Sequence, residues 1–224
     1  MPSGFLLIDK PAGITSHDVV DRLRKITGIR RIGHAGTLDP FATGLLVVGV
    51  GREATKKLGE ISGSIKEYLA TAVLGAESDT QDKTGTIKEL PCGTWPDEAT
   101  VRAAMGKFTG EISQIPPMYS AKKIAGKKLY ELARAGQEVE RQPVTVTIHE
   151  LELLEYSPPR LKFRVLCSSG TYIRTLAHDL GRTLGSEAYL EELRRMKVGQ
   201  FNIEKAKKLD ELTKDNWEGL LLQS

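Results

Sequence analysis

Four polar side chains stand where a protein can do chemistry. Asp39 lies in Thr37-Leu38-Asp39-Pro40, between Gly36 and Gly44, and His34 precedes it in the same polar stretch. Tyr68 sits in a run with Ala70, Ala72 and Leu74, and Arg174 follows Tyr172-Ile173 after the break Ser168-Ser169-Gly170. A carboxylate held in its ionised form can serve as a base or a nucleophile, and a phenol or an imidazole can pass a proton. A guanidinium can hold a partly buried carboxylate by a two-point contact. Each residue also has a plainer reading. An Asp before Pro is an ordinary turn residue, a lone His near a turn is ordinarily structural, a strand Tyr ordinarily belongs to the core, and an Arg at a helix start ordinarily makes a surface ion pair. Residue type alone leaves both readings open.

Other chemistry is poorly supplied. Cys92 and Cys167 have neither CxxC spacing nor a His cluster beside them, so a disulfide framework and a zinc site are both unsupported and the thiols read as reduced and structural. With 224 residues, 40% hydrophobic and 27% charged, the chain can bury an ample core, which excludes disorder and collagen-like repeats. No low-complexity linker divides it, so one continuous unit is expected. Its apolar runs fall short of the roughly 20 residues a membrane span needs, and the N-terminus lacks the pattern of a secretory signal, so a cytosolic protein is expected. No apolar heptad argues for self-association, and a monomer is expected. The formal net charge is only +3, yet the charges are segregated. Residues 106–128 carry Lys107, Lys122, Lys123, Lys127 and Lys128 against Glu111, whereas residues 77–98 carry six acids against Lys83 and Lys88. Charge runs are ordinarily solvated faces, so this pattern needs a motif to give it meaning.

The elements that must position these groups follow from periodicity. Residues 5–8 read as a short apolar strand ending at the turn Lys10-Pro11-Ala12-Gly13. Ser16 reads as an N-cap, Val19, Val20, Leu23 and Ile26 recur at helical spacing, and Gly28 follows as the C′ residue, which predicts a helix over 17–27. A polar, Gly-bearing loop over 30–44 then feeds the unbroken apolar run 45–50, a strand buried on both faces, so Asp39 falls just before a core strand. Residues 66–74 read as a strand on which Tyr68, Ala70, Ala72 and Leu74 share a face, the alanines leaving space beside the ring so that Tyr68 could front a cavity. Asp97 should cap a helix reaching about 107, and 127–135 before Gly136 suggests a second short one. Val144, Val146 and Ile148 alternate in one parity and Leu151 and Leu153 in the other, which predicts a bulge near His149 and Glu150 in a long strand. Ser157-Pro158-Pro159-Arg160 connects it to a returning strand with Leu161, Phe163, Val165 and Cys167 inward, and a helix follows near 172–184. Strands and helices mix without βαβ alternation, which predicts an α+β fold with a mainly antiparallel sheet.

Four segments carry together a likeness that none carries alone. They are Lys10-Pro11-Ala12-Gly13-Ile14-Thr15-Ser16, Gly33-His34-Ala35-Gly36-Thr37-Leu38-Asp39-Pro40-Phe41-Ala42-Thr43-Gly44, Gln114-Ile115-Pro116-Pro117-Met118-Tyr119-Ser120-Ala121-Lys122-Lys123 and Cys167-Ser168-Ser169-Gly170-Thr171-Tyr172-Ile173-Arg174-Thr175-Leu176. In this order they resemble the signature set of the TruB pseudouridine synthases, from residue 5 to about 212. The resemblance implies the pseudouridine synthase fold, a mixed, mainly antiparallel sheet flanked by helices, with an RNA-gripping insertion at about 113–141. It implies an isomerase that turns one uridine of the T-loop of tRNA into pseudouridine without a cofactor or a metal. By that resemblance Asp39 is the catalytic carboxylate, whether it attacks C1′, adds at C6 or takes the C2′ proton. Arg174 pairs with it, and Tyr68 lies against the uracil ring, a candidate for handling the C5 proton. Tyr172 is a second pocket aromatic and Leu190 addresses the uracil edge through its backbone. His34 fills the space left by the flipped base, whose extrusion costs about a few kcal/mol, and Lys122 and Lys123 contact phosphates in the manner that positions RNA without reading it.

The likeness also sets expectations about extent. Many bacterial members continue into a small C-terminal RNA-binding domain of the PUA type, whereas this sequence ends at Ser224. A catalytic domain over 1–212 is expected, then a short helix over 213–224 that Trp217, Leu220, Leu221 and Leu222 pack against the body, and no PUA domain. The basic run Arg194, Arg195, Lys197, Lys205, Lys207 and Lys208 is then the first suspect for holding RNA beyond the T-loop. Two other functions stay open at this level: a guide-RNA-dependent synthase acting on ribosomal RNA within a protein complex, and a catalytically idle chaperone that only refolds the T-arm.

Overall fold

The computed structural model describes residues 2–90, 93–120, 122–124, 126–137 and 139–223, without the side chains of Lys123, Ile124, Lys128 and Arg134. Cys92 lies outside the described residues. Two compact units divide the chain, one made of Met1–Tyr68 with Leu193–Ser224 and the other of Leu69–Glu192.

The first unit begins with β1 (Gly4–Lys10), α1 (Ser16–Thr27), β2 (Ile32–His34), β3 (Thr43–Val50) and α2 (Gly51–Gly63). β1 pairs antiparallel with β3 from Gly4↔Val50 to Lys10↔Gly44, and β2 pairs antiparallel with β3 on its other side. The alternation of side chains along β1 and β3 feeds two cores. Leu6, Ile8, Leu46, Val48 and Val50 join Val19, Val20 and Leu23 of α1, whereas Phe5, Leu7, Leu45 and Val47 join Ala54 of α2. A strand covered on both faces has no polar side, which is why residues 45–50 read as an unbroken apolar run.

Local chemistry sets the ends of α1. Thr15, and not Ser16, is the N-cap: its hydroxyl accepts from the Asp18 N–H, and the Asp18 carboxylate accepts from the Thr15 N–H, closing a capping box. Gly28 ends the helix at φ 73°, a left-handed conformation natural to glycine. Ser16 is buried instead, where its hydroxyl donates to Leu38 O at 3.2 Å and accepts from the Leu38 N–H at 2.9 Å. Periodicity gave no sign of α2, because it starts at a glycine without a side-chain cap and buries only Gly51 and Ala54 fully.

The chain re-enters the first unit through β12 (Ala188–Val198), then β13 (Phe201–Asn202) and β14 (Lys207–Lys208). β12 runs parallel to β3 through Arg194↔Thr43 and Arg195↔Gly44, and β14 runs parallel to β1. A short helix was expected at the C-terminus, and a 3-10 turn over Trp217–Leu220 occupies it. Trp217 is buried in the α1 core with Leu220 and Leu221 packed on it; Leu222 is 38% exposed and is held by its backbone, bridged to Phe5.

β4 (Lys66–Leu74), as expected from sequence, has residues in both units, as does β12. The second unit continues with β5 (Ala76–Ser78), β6 (Ile87–Glu89), α3 (Glu98–Gly106), β7 (Gly110–Gln114), β8 (Lys123–Ile124), β9 (Lys127–Lys128), α4 (Leu129–Arg134), β10 (Val144–Ser157), β11 (Arg160–Cys167) and α5 (Ile173–Thr183). Here the strand order is β12-β4-β11-β10-β7. Asp97 caps α3 as its sequence implies, accepting from the Thr100 N–H at 2.8 Å. The predicted bulge is present as a register shift between Ile148 and Glu150 in the β10–β11 pair. The short helix expected over 127–135 begins two residues later, since Lys127–Lys128 pair with β8 instead. The result is an α+β fold with a mixed, mainly antiparallel sheet.

Ser16→Ala should destabilise the protein by about 1–3 kcal/mol, the cost of leaving the buried Leu38 N–H without an acceptor. Thr15→Ala should cost about 1 kcal/mol, as loss of a cap does. Urea unfolding measures both, and equal stability of Ser16→Ala and wild type would contradict the buried bridge.

Candidate active site

The loop between β2 and β3 carries Asp39, and its backbone is pinned from several sides. The Ala35 N–H donates to Val47 O at 2.9 Å and the Gly13 N–H to Pro40 O at 2.8 Å. Ser16 holds both polar groups of Leu38, and the Ala42 N–H closes a turn onto Asp39 O at 3.1 Å. Asp39 itself is half-buried, flanked by the buried Leu38 and Phe41.

Three cations are buried around this loop: Lys10, Arg195 and Lys66, whose stem lies against Gly36 and whose Nζ donates to Ser62 O at 2.8 Å and Ser64 O at 2.9 Å. Lys10, at the end of β1, is fully buried and donates to Pro11 O at 2.8 Å, Ile14 O at 2.8 Å and Pro40 O at 3.3 Å. Burial lowers its pKa to about 8; the Asp39 charge opposes that fall, while Arg195 adds to it. Arg195, on β12, is 1% exposed and donates through Nε to Leu45 O at 2.7 Å and through Nη2 to Gly36 O at 3.1 Å. The strands approach closely there: a Cβ on Gly44, whose φ is +101°, would lie 2.3 Å from Arg195 O. His34 ends β2 with its Nδ1 buried and, among the described residues, without a hydrogen-bond partner. Burial first, and Arg195 second, lower its pKa, so the ring is neutral at neutral pH. A neutral ring adds no charge to the loop. The third sequence-derived residue of this unit, Tyr68, is buried on β4.

The second unit holds the other candidates. Arg174, in the first turn of α5, is 4% exposed; its Nη1 donates to Thr80 O at 2.9 Å and to Asp82 Oδ2 at 3.3 Å, and its Nη2 to Tyr119 O at 2.6 Å. It is thus no surface ion pair. Asp82 is buried as well, and its other oxygen accepts from Thr80 Oγ1 and the Thr84 N–H, each at 2.9 Å. Tyr172 is the N-cap of α5, and the buried Gln114 side chain grips its backbone at two points, accepting from Tyr172 N at 3.0 Å and donating to Tyr172 O at 3.2 Å. The Leu190 backbone pairs with the 81–83 segment: its N–H donates to Gln81 O and its carbonyl accepts from the Lys83 N–H, both at 3.0 Å. Lys122 is partly exposed and its carbonyl accepts from the Leu129 N–H at 2.8 Å, whereas Lys123 lies on β8 with its side chain outside the description.

Sequence reasoning overlooked Lys10, Arg195, Asp82 and Gln114. Arg195 belongs to the basic run suspected of holding RNA beyond the T-loop, yet the alternation Leu193, Arg195 already puts it on an inward face. Its neighbours in that run are partly neutralised, since Arg194 pairs with Asp9 at 2.7 Å and Lys197 with Glu67 at 3.5 Å. Among the described residues no group of His, Cys, Asp and Glu has the arrangement of a metal site, and no helix is long and apolar enough to cross a membrane.

Two family models match the chain. Residues 24–173 match the one described as TruB family pseudouridylate synthase (N terminal domain), and residues 174–221 match the tRNA pseudouridylate synthase B C-terminal domain. The tRNA pseudouridine synthase B of Geobacter sulfurreducens is 48% identical over 211 residues, covering 93% of this chain and 68% of that protein. The protein of the same name from Desulfotalea psychrophila is 50% identical over 210 residues, covering 91% and 85%. Among solved structures, a chain in the crystal structure of a Cbf5-Nop10-Gar1 complex is 32% identical with a TM-score of 0.73. That alignment covers 96% of this chain and 54% of the other, so this chain spans about half the length of the solved relative.

Lys10 should titrate near pH 8 in lysine-selective NMR, and Asp39→Asn should lower that value further by removing the charge that opposes the fall. Linkage sets the sign of the stability effect. The unfolded chain, with a lysine near 10.5, binds the proton more tightly than the folded one, so the contribution of Lys10 to stability rises with pH between about 8 and 10.5. A Lys10 that titrates in the ordinary lysine range, or a value unmoved by Asp39→Asn, would contradict this geometry.

Proposed function

Since the chain belongs to the TruB family of pseudouridylate synthases, we propose that it isomerises one uridine in the T-loop of tRNA to pseudouridine, without a cofactor and with Asp39 as its carboxylate. The observation that supports this reading best is the setting of Asp39: half-buried, in a loop fixed on both sides of it, near the buried Lys10 and Arg195. In the reaction the bond from uracil N1 to ribose C1′ breaks and a bond from C5 to C1′ forms. C5 gives up a proton and N1 gains one, so oxidation state and composition are unchanged. Attack at C1′, addition at C6 and removal of the C2′ proton each need one ionised carboxylate. Asp39 is that group, and a fixed loop holds it at the sugar without reorganisation.

The remaining residues serve binding and proton transfer. Tyr68 lies along the uracil and its hydroxyl handles the C5 proton. Arg174 supplies the buried positive charge of the second unit, and Tyr172, set at the start of α5 by Gln114, lines the base pocket. His34, neutral and with a buried ring nitrogen to satisfy, occupies the place of the extruded base. Lys122 and Lys123, within the insertion at about 113–141, contact phosphates, so affinity should fall steeply with salt. Residues 1–212 form the catalytic body, and its substrate contact is the T-arm.

The direct test is incubation of the purified protein with an unmodified tRNA transcript, followed by base-resolution mapping of pseudouridine. One new pseudouridine in the T-loop, formed without added protein or guide RNA, is expected. A requirement for a guide and partner proteins, or binding without product, would overturn the reading. Tyr68→Phe should keep tRNA affinity within about threefold while slowing turnover by about 100-fold or more, the range for a lost proton-transfer group. Equal rates would confine Tyr68 to stacking.

A further inference from the structure

We propose that Arg195 is the positioning residue of the catalytic loop, a buried guanidinium that clamps the backbone on both sides of Asp39 and supplies the fixed positive charge beneath it. This rests on the reading of Asp39 as the catalytic carboxylate. Arg195 is among the largest fully buried side chains of the protein, and its hydrogen bonds go to Gly36 O and Leu45 O, one carbonyl before Asp39 and one after it. Among the described residues its guanidinium has no carboxylate in ion-pair range. Burying a cation with only carbonyl partners is unfavourable unless a counter-charge stands nearby. Asp39 is the anion of this loop. Three further titratable groups lie around it, Lys10 from β1, His34 from β2 and Lys66 from β4, and Asp18 of α1 acts on Lys10. Lys10 and Lys66 are buried cations like Arg195, but Lys10 has spent its three donors on Pro11, Ile14 and Pro40, and Lys66 donates to Ser62 O and Ser64 O, outside the loop. Of these cations, Arg195 is the one whose side chain bonds to both arms of the loop.

The approach of β12 to β3 is built for this. Arg195 is registered against Gly44, where a side chain would collide with the Arg195 backbone at 2.3 Å from O and 2.7 Å from N. A Cβ on Gly36 would lie 3.6 Å from Arg195 Nη1, so that backbone too passes against the guanidinium. A lysine at 195 keeps the charge but offers a point donor where a planar fork spans two carbonyls.

The test compares Arg195→Lys, Arg195→Gln, Gly44→Ala, Asp39→Asn and a core control, Leu23→Ala, in single-turnover assays below their unfolding temperatures. Arg195→Lys and Gly44→Ala should each lower the single-turnover rate at saturating tRNA at least about tenfold, with tRNA affinity within about threefold of wild type, a loss confined to the chemical step. Arg195→Gln, which also removes the charge, should in addition move the acid limb of the rate profile to higher pH. Leu23→Ala should lose stability but keep both rate and pH profile. Should none of the loop variants fold, wild type decides: its rate should stay level down to about pH 5, because fixed positive charge in the loop favours the charged form of its carboxylate. A wild-type acid limb above about pH 6, loop variants with wild-type rates and limbs, or rate losses matched by Leu23→Ala would each overturn the role of Arg195. Full activity in Asp39→Asn would overturn the underlying reading instead, and the inference with it.

Discussion

Arg195 and Lys10 carry their charges into an interior where a bare ion would be several kcal/mol less stable than in water, and the backbone of the first unit is folded to receive them. Between them they bond five carbonyls, those of Pro11, Ile14, Gly36, Pro40 and Leu45. Carbonyl dipoles lower the cost of a buried cation but carry no net charge, and the half-buried carboxylate of Asp39 completes the arrangement. Loop shape and electrostatics are therefore one feature. The contacts that fix where Asp39 stands also bring its charge to bear on Lys10, and Arg195, with burial, keeps His34 neutral.

A second consequence concerns α1. Thr15 and Asp18 cap it by bonds local in sequence, which releases Ser16 to reach Leu38, 22 residues away. The start of the helix is thus tied to the Asp39 loop by a buried hydroxyl, and the turn of residues 10–16 is held by Lys10. In the second unit the same economy recurs with opposite parts: Arg174 is held by a buried carboxylate, Asp82, and by two carbonyls, and Gln114 sets the backbone of Tyr172 at the start of its helix.

What the sequence made legible follows the range of the interactions involved. The β10 bulge could be read because parity changes inside one strand, and the cap of α3 because Asp97 acts on residues beside it. Residues 45–50 could be read as doubly covered because composition records burial. Ser16 was mistaken for a cap since Ser and Thr share the same cap chemistry, and only the distant Leu38 distinguishes them. α2 was invisible because a glycine start and a narrow apolar stripe leave little periodicity. Asp39 and Arg174 stood out by family resemblance, not by residue type. Lys10 and Arg195 resemble any surface cation until the strands that bury them are in place, and the engagement of Leu190 by Gln81 and Lys83 exists only in three dimensions.

The central physical claim is that the Asp39 loop is rigid before RNA arrives, and amide hydrogen exchange in the RNA-free protein tests it most directly. The N–H groups of Ala35 and Leu38, bonded to Val47 O and Ser16 Oγ at 2.9 Å each, should exchange as slowly as those of β1 and β3, opening only with the unit as a whole. Rapid exchange of these amides in the free protein, with protection gained only on adding tRNA, would contradict it and would mean that the substrate, not the buried cations, sets the loop.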